Sequence, residues 1–115
     1  MPRYFQTGAY RDGDDNKLDY SGFLSPQVLE RFAQYMQANR KQSDGKLRDS
    51  DNWKKGIPKE QYKKSLVRHA IQFWGSLEGG MKDDKGNAID AQDALCAIIF
   101  NAMGYLYEDL QNKKK

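Results

Sequence analysis

Residues able to do chemistry gather in a few places along the chain. Asn52-Trp53-Lys54-Lys55-Gly56-Ile57-Pro58 sets an indole between an amide and two lysines, just before a proline that suits a helix start. A helix N-terminus attracts anions, flanking lysines add to that attraction, and an indole face stacks on a nucleobase. The same residues suit a plainer role, in which Trp53 anchors a long loop to the core and the lysines are solvated. The local sequence favours the plainer one.

Arg68 and His69 lie together in the middle of a helical pattern. His69 falls on its apolar stripe, where a satisfied core histidine is the usual occupant. It is the chain's one histidine, so no multi-histidine metal site can form, although it could join carboxylates. Arg68, beside the stripe, could hold a phosphate or carboxylate bidentately or pair with an acidic side chain. Asn101 interrupts the most apolar helix, and a buried amide must find partners in a backbone or a ligand. Gly104 nearby permits close approach of another backbone. Cys96 reads as a small core residue with no base to activate it.

Magnesium-dependent attack on a triphosphate needs several hard oxygen ligands close together. Asp90 and Asp93 are spaced i, i+3, but as a cap and a first-turn residue they also suit a helix start. Glu108-Asp109 are adjacent and so do not share a face. Glu30, Glu60 and Glu78 stand singly, and no second ExxE-type pair exists.

The elements that must position these groups follow from periodicity. Residues 1–24 lack a helical period; Thr7-Gly8, Asp12-Gly13 and Asp14-Asp15-Asn16 signal turns. Tyr4, Phe5, Tyr10, Tyr20 and Phe23 punctuate them, which predicts an extended arm pinned to the body by its aromatics, with a short β-hairpin as an option. Ser25 and Pro26 open a first helix, with Leu29, Phe32, Ala33 and Met36 on one face, fading near Arg40. Residues 40–56 form a polar loop. Pro58 opens a second helix with Tyr62, Leu66, His69, Ala70, Phe73 and Leu77 as its stripe, ending at Gly75 or Gly79-Gly80. Residues 79–89 form a hairpin-like loop, and Asp90 opens a third helix. From Ala94 to Met103 that helix is apolar nearly all round, which predicts burial on more than one side and, in so small a set of helices, a subunit interface. Residues 111–115 form a polar tail. No internal repeat is visible. The fold expected is all-α, with three main helices in one domain and an oligomeric assembly.

Composition fits that outline. A chain of 115 residues makes one domain. Hydrophobic residues are 38% and mean hydropathy is −0.95, but 12% aromatic residues exclude full disorder. No apolar run reaches the ~20 residues of a membrane span. One cysteine excludes a disulfide framework and a cysteine-based zinc site, and no apolar leader core directs export, so a cytoplasmic protein is expected. Residues 40–68 carry ten basic and four acidic side chains, the rest nine and twelve, so the middle favours an anionic partner, while a solvated charged surface is the usual reading of such a run. A net charge of +3 is small for duplex DNA, and no DNA-binding motif is present.

Several motifs carry a family resemblance over roughly Thr7 to Asp109. They are Thr7-Gly8-Ala9-Tyr10-Arg11-Asp12, Asn16-Lys17-Leu18-Asp19-Tyr20, Leu24-Ser25-Pro26 with Leu29 and Phe32-Ala33, Asp51-Asn52-Trp53-Lys54-Lys55-Gly56-Ile57, Ser65-Leu66-Val67-Arg68-His69, and Phe100-Asn101. Of these, the segment around Trp53 is the most specific. Together they resemble the small phage and bacterial proteins labelled dATP/dGTP diphosphohydrolase N-terminal domain, related in style to the all-helical MazG-like nucleotide pyrophosphatases. The resemblance implies a helical, oligomeric protein that handles purine nucleotides. It departs from the pattern in two ways: the paired ExxE and ExxD carboxylates of MazG-like enzymes have no counterpart, and Ala94 stands where such proteins often carry histidine.

The surviving motifs stack on bases and hold phosphates. The first expectation is therefore a nucleotide-binding "sponge" without hydrolysis or cofactor, anti-defence in a phage setting. It would sequester a cyclic dinucleotide or ADP-ribose derivative in the cytoplasm of an infected host. There Trp53 stacks on a base beside Asn52 and Lys55, Arg11, Lys17, Arg68 and His69 contact phosphates, and Asp93 and Asn101 read a sugar or base edge. The alternative is a Mg2+-dependent dATP/dGTP diphosphohydrolase, with Asp90 and Asp93 holding the metal alongside Glu30 or Glu60. A nucleic-acid accessory protein using the basic loop is the third.

Overall fold

A computed structural model describes residues 3–13 and 16–113. Of the expected Asp14-Asp15-Asn16 turn only Asn16 falls among them, as does the tail only as far as 113. The described elements are strands β1 (Arg3–Tyr4) and β2 (Tyr10–Arg11), then helices α1 (Tyr20–Phe23), α2 (Pro26–Ala38), α3 (Lys59–Gly79) and α4 (Ala91–Lys113). A single 3-10 turn covers Asn52–Lys55. The described residues are thus mainly helical, with four helices rather than three and one two-stranded antiparallel sheet.

Local chemistry explains the helix starts. Ser25 Oγ accepts from Val28 N at 3.2 Å and Pro26 takes the first helical position of α2. Asp90 Oδ1 accepts from Asp93 N at 3.0 Å and caps α4. Pro58 lies one residue outside α3, which begins at Lys59 and ends where Gly80 turns left-handed at φ 73°. The extra helix α1 is a single turn, closed by Asp19 accepting from Gly22 N. Its four residues are too few to show a period. The expected tail is helical through Lys113.

α3 and α4 run antiparallel and form the main packing unit; Lys59 Nζ near the start of α3 lies 3.5 Å from Asp109 Oδ1 near the end of α4. The face of α4 toward α3 is made of small residues: Ala94, Ala97, Asn101 and Gly104, at spacings of three and four, are all buried. Tyr62 fills the hollow they leave and is 2% exposed. Gly104 therefore admits the Tyr62 ring, where the sequence suggested a backbone. α2 lies more lightly on α4. Its inner side is Arg31, Phe32, Tyr35 and Met36, rotated from the predicted stripe, so that Leu29 and Ala33 are exposed. Arg31 makes the junction: Nη2 donates to Asp93 Oδ1 at 2.7 Å, Nε to Gln92 Oε1 at 3.0 Å, and Nη1 lies 3.8 Å from Cys96 Sγ. An arginine placed off the apolar stripe thus docks α2 by hydrogen bonds to the first turns of α4.

The aromatic arm does not pin itself to this body. Tyr4, Phe5, Tyr10, Tyr20 and Phe23 are all exposed, and Tyr4 stacks at a tilt only on its cross-strand mate Tyr10. Two-residue strands cannot present a continuous apolar face to a helix, so the aromatics stay on the hairpin.

One turn geometry occurs three times. Phe5 N donates to Ala9 O, Gln42 N to Lys46 O and Asp83 N to Asn87 O; in each, the glycine three residues on donates back to the first carbonyl. Gly8, Gly45 and Gly86 hold φ of 88°, 84° and 81°, as a hairpin loop of this kind requires. Bridges Lys41–Leu47 and Lys82–Ala88 make the second and third copies hairpins in miniature. Only the glycine is shared in sequence, which is why no repeat shows there. No helix among the described residues is long and apolar enough to cross a membrane.

Candidate functional site

Two grooves flank the C-terminal half of α2, divided by Tyr35 and Asn39, which line both. The first, of about 510 Å³, lies between α2, α4 and the loop of residues 40–57. Its walls are aromatic and thioether: Phe32, Tyr35, Met36, Trp53, Phe100 and Met103. Arg40 and Arg48 line one part of it, held by the second hairpin. Arg40 Nε donates to Arg48 O at 2.8 Å, and Arg48 Nη2 donates to Asn39 O at 2.7 Å. Each guanidinium has five N–H donors, so these bonds fix the arginines in place without exhausting them.

Trp53 is half-buried, with its ring edge-on to Tyr107 at 4.9 Å and to Phe100 at 6.2 Å between centroids. Lys54 Nζ lies 5.6 Å from the indole centroid. The tryptophan therefore fastens the polar loop to α4 and also forms a wall of the groove. Asn52 lines the groove too, while Lys55 is exposed and 4.0 Å from Asp49.

The second groove, of about 470 Å³, opens between α3, α4 and the third hairpin. It brings together Arg68, His69, Asp90 and Asp93 from the sequence reading, and adds Gln72, Asp83, Asp84 and Lys85. Three of its four carboxylates, those of Asp83, Asp90 and Asp93, already have partners. Asp83 Oδ1 accepts from Lys85 N and Asn87 N, Asp90 caps α4, and Asp93 is paired with Arg31. Glu30, the third candidate metal ligand, is exposed on α2 and accepts from Gln34 at 3.4 Å. Glu60 pairs with Lys63 at 3.2 Å. Among the described residues, no three His, Cys, Asp or Glu side chains are grouped to hold a metal ion.

The nine residues of the nucleotide reading are thus distributed. Asn52 and Trp53 line the first groove, with Lys55 beside it; Arg68, His69 and Asp93 line the second. Asn101 is buried and donates Nδ2 to Ala97 O at 2.8 Å, inside its own helix. Arg11 and Lys17 are exposed on the arm. Sequence reasoning missed Arg40, Arg48 and Tyr35. The charge surplus of residues 40–68 was the available signal for both arginines, but nothing local said which cations would face an aromatic wall.

Burial, then the neighbouring Arg68 cation, push the His69 imidazole below its ordinary value; a hydrogen bond to Gln72 and the Asp84 carboxylate oppose this. Burial pushes the Cys96 thiol up, with the Arg31 cation opposing, so it keeps its proton at neutral pH. Because the folded chain prefers neutral His69, stability is unaffected above the unfolded value of 6.5 and is lost as pH falls through the lowered folded value. The single imidazole gives one set of proton resonances, whose titration midpoint is expected below 6.5. His69→Gln should remove the matching part of the stability loss; a midpoint above 6.5 would contradict the burial.

No family model matches the chain, and no curated protein or solved structure matches it either.

Proposed function

We propose that this chain binds a nucleotide or nucleotide-derived signal, such as a cyclic dinucleotide or an ADP-ribose derivative, and sequesters it without hydrolysis as a homo-oligomer. The observation that carries the reading is the first groove, where Phe32, Tyr35, Trp53 and Phe100 line one cavity with Arg40 and Arg48. Aromatic walls suit a base, and preset guanidinium groups suit phosphates. The volume lies within the usual range of small-molecule sites. The motif resemblance to dATP/dGTP diphosphohydrolase-type proteins points to the same ligand class, and Trp53 belongs to both. Asp90, Asp93 and Glu30 each have a structural hydrogen-bond partner, which supports holding over hydrolysis.

The alternative, a Mg2+-dependent diphosphohydrolase, would have to use the second groove, which Asp83, Asp84, Asp90 and Asp93 share with Arg68 and Lys85, and would need these carboxylates to regroup around the metal. One experiment separates the two. The protein is incubated with a panel of nucleotides and nucleotide signals, with and without magnesium, then filtered and denatured, and both fractions are analysed by mass spectrometry. Sequestration predicts a ligand depleted from the filtrate and released intact. Arg48→Ala should weaken its binding by roughly ten-fold or more, the value of one charge-assisted contact. Monophosphate and pyrophosphate appearing only with magnesium, and lost in Asp93→Asn, would establish the enzyme instead.

A further inference from the structure

We infer that the outer face of α4 is the seam of a two-fold dimer, in which α4 of a second copy packs antiparallel along it. It specifies the seam of the homo-oligomer in the proposed function and does not depend on the ligand named there. The face is apolar, exposed and unpartnered. Leu95, Ile99, Leu106 and Leu110 are 42%, 39%, 57% and 48% exposed, with exposed Ala102 in line between them. Their spacings of three and four residues put them on one stripe, about 22 Å long at the helical rise. From Ala94 to Tyr107 no residue is charged, whereas a helix face meant for water carries charge. α3 covers the opposite side through Ala94, Ala97, Asn101 and Gly104, and α2 touches the flank at Gln92, Asp93 and Cys96. No described element covers the stripe.

Surface area says that the missing cover is large. The chain exposes 9371 Å². A compact monomer of its mass exposes about 6,450 Å², so roughly 2,900 Å² is surplus. Its radius of gyration is 19.5 Å, against about 13 Å for a compact domain of this length. The N-terminal arm accounts for part of the surplus. The whole surplus is more than three times the ~800 Å² per partner of a standard interface.

The occupant is a second copy because the stripe is complementary to itself. Its four large residues are arranged symmetrically about the bond between Ala102 and Met103. Turning a second α4 end for end therefore sets Leu95 against Leu110 and Ile99 against Leu106, and leaves the small Ala102 of each copy beside the centre, where it lets the helices approach. A two-fold interface needs this self-complementarity: each residue meets a partner that meets it in return. A lipid surface fits less well. An interfacial helix carries lysines and arginines on its polar side, and here that side is packed on α3.

Sedimentation equilibrium from about 1 to about 100 µM, a range that spans ordinary dimer affinities, should give a species of twice 13.3 kDa. Ile99→Glu with Leu106→Glu should raise the dimer Kd by roughly 100-fold or more, because four carboxylates would be desolvated side by side. Trp74→Glu, on exposed α3 surface, should leave it unchanged. Cross-linking tests the geometry without disrupting the fold. In a Cys96→Ala background, a mixture of Leu95→Cys and Leu110→Cys chains should form a mixed disulfide, while Leu95→Cys alone should not. A monomer throughout the range would overturn the proposal. So would a dimer that Trp74→Glu dissociates and the α4 pair does not, or one in which Leu95→Cys links to itself.

Discussion

Gly104→Ala is expected to destabilise the chain by roughly 1–2 kcal/mol, although alanine is the better helix former. Two effects compete. Alanine in a helix interior gains up to about 1 kcal/mol over glycine. Against that, a β-carbon at Gly104 falls inside the van der Waals envelope of Tyr62 Cε1 and Cζ and within 2.9 Å of Cδ1. Tyr62 has nowhere to go: it is 2% exposed and packs edge-on against Phe100 at 5.8 Å. Overpacking a site that cannot relax costs roughly 1–3 kcal/mol, sometimes more, so the clash wins. Urea unfolding at fixed protein concentration measures the loss. Tyr62→Leu gives the control: if the ring is the obstacle, the cost of Gly104→Ala falls in that background, and the double-mutant cycle shows a coupling. Additive effects would refute the contact. Tyr62→Phe separates the ring from its hydroxyl. Among the described residues the buried Oη has no hydrogen-bond partner, so removing it should be neutral or slightly stabilising.

Trp53→Ala is the second large effect. Trp53 ties residues 40–57 to α4 through Phe100 and Tyr107. Complete burial of a tryptophan makes its loss worth about 3–5 kcal/mol; half-burial reduces this to roughly 2–3 kcal/mol. The effect should be local. Amides of the 3-10 turn Asn52–Lys55 should lose hydrogen-exchange protection, while the α3–α4 pair keeps its own. Trp53→Phe should restore most of the anchoring, since its partners are aromatic edges. Because Trp53 and Arg48 line the same groove, Trp53→Ala should also abolish the depletion of any ligand that Arg48→Ala weakens. Unchanged loop protection would refute the anchor; unchanged ligand binding would refute the stacking role.

Much of the fold was legible because it is written in local chemistry. Ser25-Pro26, Gly79-Gly80 and Asp90 marked helix ends correctly, since caps depend on residues within one turn. Pro58 was displaced by one position for the same reason: a proline fits just before a helix as well as inside its first turn. Trp53 anchors its loop to α4, as a lone large aromatic in a polar loop has few other places to go. Tyr35, Arg31 and the fate of the arm were not legible. They depend on how far α2 rotates against α4 and on whether two short strands meet a helix at all.

Periodicity and capping, which act within a few residues of the chain, suffice for α2, α3 and α4, their starts and the strongly apolar character of α4, but not for the single turn α1 or the C-terminal end of α4. Which cations meet which aromatic rings depends on how the helices and loops pack. Arg40 and Arg48 join Trp53, Phe32 and Phe100 in one groove, while Arg68 and His69 lie in another, and Arg11 and Lys17 are out on the arm. The physical reason is that a site is an intersection of surfaces. Its members are chosen by the crossing of α2 over α4 and by the tie of one loop through one indole, and neither is encoded in the spacing of residues along a single element.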